Sequence, residues 1–414
     1  MTGAPRPGSW LRLLAVSAAF ATAVVVVTGP WSRSHEASVL AAFGLLAGVW
    51  LSVWFGHRAS RGLVWTSSVA LGLFVVQIGI GGIVALGGES TVALALHIGL
   101  GAVSLAAAAV TAGLAVRRGG ADAPPAPPAP WRDYVTLTKP RIMSLLLLTG
   151  AGGLVLGEGG VPSLGLTLAT LGGLALACGG ASALNHYLDR DIDKLMGERT
   201  QARPVASGRV APARALEFGL ALLALSFVCL VVFANVLAAV LAIFGGAFYV
   251  LVYTRWLKRT TPQNIVIGGA AGAIPPVVGW AAATGNLTLP ALLLFLIVFF
   301  WTPPHFWALA LLIRRNYEAA GVPMLPVVRG DRETARAIVR YSVVMVAITL
   351  LPVLARTVGA VYLASALVLG ALFLWLAVAL ARSTTPLAAR RLFTYSLAYL
   401  ALLFVALAVD PLVV

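Results

Sequence analysis

The chain reads as an all-α protein that crosses a membrane many times, and three observations carry that reading. Of its 414 residues, 60% are hydrophobic and only 10% are charged, whereas an average soluble domain is about 25% charged. Apolar runs of the roughly 20 residues that span a bilayer as helix recur along the whole length. Basic residues outnumber acidic ones, 29 to 14, and they gather in the gaps between those runs. The net charge of +15 therefore reflects the preference of Lys and Arg for the inner side of a membrane, not affinity for nucleic acid. The bilayer is the first partner implied. Cys178 and Cys229 sit inside apolar runs without C-x-x-C spacing, which predicts neither a disulfide nor a zinc site.

Thirteen spans are expected, and each has its own boundary signals. The first span, 10–29, resembles a signal peptide, with Arg6 and Arg12 ahead of an apolar stretch, but about 19 apolar residues are long for one, so an uncleaved helix is predicted. Spans 36–56, 63–87 and 91–116 complete a four-span unit over 1–118. The Pro/Ala-rich run GGADAPPAPPAP (119–130) cannot continue a helix and forms an extended spacer. A nine-span unit over 131–414 follows, with spans at 142–160, 163–184, 214–234, 236–254, 263–283, 288–313, 335–355, 357–381 and 391–409. With the N-terminus cytoplasmic and the spans alternating, 27 basic residues lie inside and only Arg33 and Arg356 outside. The C-terminus then lies outside. The Arg-rich, Ala/Gly/Leu-rich composition points to a bacterial cell membrane.

The chemistry concentrates in the most polar stretch, NHYLDRDIDKLMGERTQARPVASGRV (Asn185–Val210). Asn185, Asp189 and Asp193 recur every four residues, so at about 100° per residue they form one stripe of a helix. Three oxygen-bearing side chains on one face suit magnesium, which favours one or two carboxylates together with phosphate oxygens. Asp191 falls on the opposite face. A solvated loop with i,i+4 pairs is the competing reading, but this stripe continues straight from an apolar helix, where unpaired carboxylates are costly. Arg190, Lys194, Arg199, Arg203 and Arg209 follow, and guanidinium forks suit phosphate. Carboxylates for magnesium beside basic groups describe a diphosphate site. In a membrane-embedded chain, that site points to a prenyl donor.

These residues resemble the N-x-x-x-D-x-x-x-D signature of the intramembrane UbiA prenyltransferase superfamily. The D-R-D-I-D core and the R-P-x-x-S-G-R that follows are similar to its haem O synthase (protohaem IX farnesyltransferase) branch. YTRWLKRTTPQNIVIGGAAGAIPPVVGW (Tyr253–Trp280), WTPPHFWALAL (Trp301–Leu311) and NYEAAGVPMLPVV (Asn316–Val328) agree with that branch in order. The resemblance covers 131–414 and implies a nine-helix bundle. It implies an enzyme that transfers the farnesyl group of farnesyl diphosphate to a vinyl group of haem B. By it, Asn185, Asp189 and Asp193 hold magnesium diphosphate, with Arg190, Lys194 and Asn264 in the substrate site. Arg199, Arg203 and Lys258 neutralise the leaving diphosphate, Tyr253 faces the allylic cation, and His305 contacts haem at its iron or a propionate. The family usually has an acidic residue where this chain has Asn316, which weakens a second metal position; Glu318 is a candidate substitute. Prenyl transfer to an aromatic quinone precursor is an alternative, against which the WTPPHFW and AGVPMLP stretches stand.

The first four spans carry few polar features. VVQIGIGGIVAL (Val75–Leu86) and LHIGLGA (Leu96–Ala102) resemble helices of haem A synthase, of whose eight helices this unit would be half. His35 and His97 fall at similar depth on alternate spans, which is suited to axial ligation of one haem, whereas His57 enters from the other side. A haem bound in this unit and haem A synthase as a partner are the expectations. A non-enzymatic membrane haem carrier is the alternative from a different class.

Overall fold

The computed structural model describes residues 14–19, 21–22, 25, 35–56, 61–87, 91–117 and 129–413. Among the described residues the secondary structure is helical throughout. In the N-terminal unit, α1 (His35–Gly56), α2 (Arg61–Gly87) and α3 (Thr91–Arg117) are apolar around their whole circumference. They pack through Leu46, Val53, Phe74 and Ala108, with Ala15 and Ala18 of the first expected span in the same core. Ser104 donates to the Ala70 carbonyl at 2.9 Å, which ties α3 to α2. His35 opens α1 and His97 lies in α3. Their side chains, the whole of His57 and most of the Pro/Ala spacer lie outside the described residues.

Nine helices among the described residues are long and apolar enough to cross a bilayer. They are α4 (Pro140–Glu158), α5 (Leu164–Leu188), α6 (Pro212–Phe233), α7 (Val236–Thr260), α8 (Asn264–Thr284), α9 (Leu289–Leu312), α10 (Leu325–Leu354), α11 (Ala360–Ser383) and α12 (Pro386–Val413). They follow the nine spans expected in 131–414, with one clear difference. Helix α10 begins at Leu325, ahead of the expected apolar run, as a short section, 325–329, joined across a break at Gly330 (φ 78) to a polar turn, 331–336, that leads into the apolar run. α3 of the N-terminal unit lies along α6.

Small residues decide how closely these helices approach. In lipid no hydrophobic force drives helices together, so contact relies on packing and on backbones that come close. A Cβ at Gly153 of α4 would lie 2.0 Å from the Pro276 carbonyl oxygen of α8, and one at Gly279 of α8 would lie 2.0 Å from the Gly150 carbonyl oxygen. Only glycine permits that crossing. α8 bends at Ala273, just before Pro275 and Pro276. The up-and-down order brings the start of α4, the end of α5, the α7–α8 junction and the α9–α10 connection to one end of the bundle. Asn185, Asp189, Asp193, Lys139 and Lys258 lie there.

Candidate active site

The acidic stripe forms where α5 runs out. α5 ends at Leu188, yet Asp189 N–H still donates to the Asn185 carbonyl and Asp193 N–H to the Asp189 carbonyl, both at 2.8 Å. The i→i+4 spacing therefore persists through the short turn Arg190–Asp193. Asn185, Asp189 and Asp193 are all buried, at 3%, 0% and 0% exposure. Buried carboxylates need counter-charges, and the ends of neighbouring helices supply them. Lys258 Nζ lies 2.5 Å from Asp189 Oδ2, and Arg203 Nη1 lies 2.6 Å from Asp193 Oδ1. Asn185 donates through Nδ2 to Asp189 Oδ2 at 2.8 Å and to Thr254 Oγ1 at 3.1 Å.

Lys258 and Thr254 reach this point because the end of α7, Phe248–Leu257, is wound as a π-helix. Such wide turns are rare and recur at functional sites. The same segment carries Tyr253, which stacks on Tyr249 with ring centroids 5.6 Å apart. Tyr253 also crosses Gly268 of α8 so closely that a Cβ there would lie 2.3 Å from its ring. Tyr317, beside the stripe on the α9–α10 connection, has its hydroxyl pushed up to about 12 by burial.

Other expected residues stand apart. Arg190 is exposed and folds back over the Tyr187 ring, 4.7 Å from its centroid. Lys194 and Arg199 are exposed on the loop surface, as is Glu318. Asn316 uses its amide as a brace, donating through Nδ2 to the Met196 carbonyl at 2.5 Å. Asn264 is fully buried, and neither of its side-chain polar atoms has a hydrogen bond. His305 is buried between α9 and α12, with Nδ1 2.7 Å from Ser396 Oγ.

Two residues were not singled out by spacing. Lys139 donates to Asn185 Oδ1 at 2.8 Å from a position 46 residues upstream. Burial, with the Arg203 charge second, pushes its ammonium down to about 7. Arg259 holds Asp191 through two hydrogen bonds of 2.7 and 2.8 Å, and also binds the Leu188 carbonyl at 2.9 Å. The Arg259 hydrogen bonds keep the Asp191 carboxyl well below the usual carboxylate range. Asp191 thus clamps the loop to α7, on the face turned from the stripe. Burial raises the Asp193 carboxyl, against the opposing pull of Arg203.

The donor set fits a magnesium–diphosphate unit. Asp193 has one oxygen paired with a cation, and Asp189 has Lys258 on Oδ2 with Arg259 Nη2 at 3.7 Å from Oδ1, but neither Asp189 Oδ1 nor Asp193 Oδ2 accepts a hydrogen bond. Among the described residues no group of three or more His, Cys, Asp and Glu could hold a metal ion. Two carboxylates suffice for magnesium only when phosphate and water complete its shell. Lys139, Lys258 and Arg203 are cations in direct contact with that donor set.

An all-helical bundle with a buried acidic stripe, rimmed by cations at one end, defines a membrane-spanning protein with an ion-paired polar site set beside an apolar interior. The chain belongs to the UbiA prenyltransferase family, whose pattern matches residues 146–406. It is 47% identical over 405 residues to a protein of Roseiflexus sp. (strain RS-1) named protoheme IX farnesyltransferase, covering 92% of this chain and 75% of that one. A protein of the same name from Symbiobacterium thermophilum is 53% identical over 281 residues, covering 67% of this chain and 94% of that one. A solved structure of digeranylgeranylglyceryl phosphate synthase has a TM-score of 0.58 at 19% identity, covering 69% of this chain and 99% of that one. At that identity the likeness shows the fold.

Proposed function

We propose that the chain transfers the farnesyl group of farnesyl diphosphate to a vinyl group of haem B, forming haem O and releasing diphosphate. The observation that carries this reading is the buried stripe Asn185–Asp189–Asp193 with Lys139, Lys258 and Arg203 against it. The names of the relatives supply the substrates. Asp189 and Asp193, with Asn185 beside them, would hold magnesium, which would supply Lewis-acid neutralisation of the departing diphosphate. Lys139, Lys258 and Arg203 exchange their carboxylate and amide partners for diphosphate oxygens as charge develops there. Asn264 offers its unbonded amide to the same substrate. The C1–O bond of the donor breaks, and the aromatic faces of Tyr253 and Tyr249 stabilise the allylic cation. The vinyl carbon adds to C1, and water takes up the resulting cation with loss of a proton. His305 contacts the haem. Extracting haems from a host that lacks its own synthase, with and without this gene, tests the reading; haem O absent from both sinks it.

Asn316 sets a second test. Asn316→Asp gains a charge at the second acidic position and loses the donor to Met196. The magnesium concentration for half-maximal rate should fall, while the metal-free protein melts earlier. An unchanged or higher magnesium requirement would mean that Glu318 or another group already fills the position, or that the position is not used.

The catalytic loops and the N-terminus are read as cytoplasmic, with the C-terminus outside, because that arrangement keeps the basic residues inside. The transferase unit is read as 131–414, supported by the Symbiobacterium protein, which 281 residues match over 94% of its length. For the N-terminal unit, haem ligation by His35 and His97 is the proposal, with haem A synthase as the partner to which haem O would pass. Full-length protein supplied with haem should show a low-spin spectrum that weakens in His97→Ala and persists in His57→Ala. Equal spectra in all three would defeat the assignment.

A further inference from the structure

His305 follows Pro303 and Pro304 in α9 and is 7% exposed. Its ring stacks on Trp301, 4.3 Å between centroids, and on Phe393 of α12 at 4.9 Å. The ring's edge is its remaining polar surface. Nδ1 lies 2.7 Å from Ser396 Oγ, a contact whose direction depends on where the ring proton sits. The Ser396 hydroxyl decides it. That hydroxyl has one hydrogen and also lies 2.7 Å from the Phe393 carbonyl oxygen, which can only accept. Both contacts are hydrogen bonds at once only when Oγ donates to that carbonyl and accepts from Nδ1–H, so the geometry favours the proton on Nδ1. Packed among aromatic carbon with no counter-charge, the ring holds one proton, and Nε2 keeps a bare lone pair. Ser396 cannot turn away easily. It is fully buried, and its own carbonyl accepts the Trp301 indole N–H at 2.8 Å.

We propose that Ser396 is a positioning residue that fixes His305 as the Nδ1–H tautomer, so that Nε2 serves as a ligand to the iron of the haem substrate. A haem propionate would require a donor at Nε2, and a lone pair offers none. The inference rests on reading His305 as a haem contact, and the experiment separates the two.

Full-length protein carrying His97→Ala, which silences the proposed N-terminal haem, is titrated with haem while its Soret and spin-state bands are followed. Ser396→Ala should weaken the ligated signature about 10- to 100-fold, the usual cost of losing a group that orients a metal-binding histidine. Ser396→Thr, which keeps the hydroxyl, should titrate like the parent. His305→Gly should lose the signature, and added imidazole should restore it. Parent-like titration of Ser396→Ala overturns the proposal. Parent-like titration of His305→Gly instead overturns the reading of His305 on which the proposal rests.

Discussion

Asp189→Asn and Asp193→Asn should each lower haem O formation by about 10²- to 10³-fold, the scale on which preorganised charge acts in a dry site. Asp189→Asn also leaves the Lys258 ammonium, itself only 8% exposed, without its counter-charge. Removing one partner of such a buried pair costs about 3–5 kcal/mol, so a loss of activity there could reflect a loss of protein. Two comparisons keep the test clean. In Asp193→Asn the partner Arg203 has a side chain 29% exposed and can turn to solvent, so the fold should survive. In Asp189→Asn/Lys258→Met both halves of the pair are gone, which should restore stability without restoring turnover. Haem O yield is measured on purified protein across a magnesium titration, with thermal unfolding alongside. Undiminished turnover in both single variants would remove the stripe from the chemistry.

The bundle was legible because its signal is long and repeated. Twenty-residue apolar runs separated by arginines constrain both the elements and their order, and the stripe at Asn185, Asp189 and Asp193 follows from local spacing alone. What spacing cannot supply is the set of partners brought in by the tertiary fold. Arg190, Lys194 and Arg199 are nearest to the stripe in sequence, yet they sit exposed on the loop, whereas the cations that reach it come from the α7–α8 junction, from Arg203 ten residues on and from Lys139. The π-wound end of α7 sets Thr254 and Lys258 against the stripe, and no hydropathy pattern announces a π turn. Asn316 looked like a weakened ligand. Its hydrogen bond to Met196 gives the amide a task that a carboxylate cannot perform.

Lys139 leads to the other large effect. It precedes Pro140 with φ 51 and ψ 59, a left-handed backbone that a residue with a side chain enters at a cost of about 1–3 kcal/mol. That conformation accompanies an ammonium set against Asn185 Oδ1, where burial and the Arg203 charge push it down from 10.5 to about 7. A bound diphosphate brings negative charge and moves the value back up. Between the two values the liganded protein holds a proton that the free protein lacks, so affinity must fall as pH rises through that interval, by up to about tenfold per pH unit. Below about pH 7 Lys139 is already charged in the free protein and its contribution is flat. The dissociation constant of a farnesyl thiodiphosphate, measured at saturating magnesium from about pH 6 to about pH 9, should therefore rise steeply across the upper half of that range. Lys139→Arg, which stays protonated throughout, should flatten the profile. Lys139→Met should bind weakly at the acid end and converge on the parent at the alkaline end. A slope that survives in Lys139→Arg would mean that another group takes up the proton, and Lys139 would then be a strut for the start of α4 and not a partner of the diphosphate.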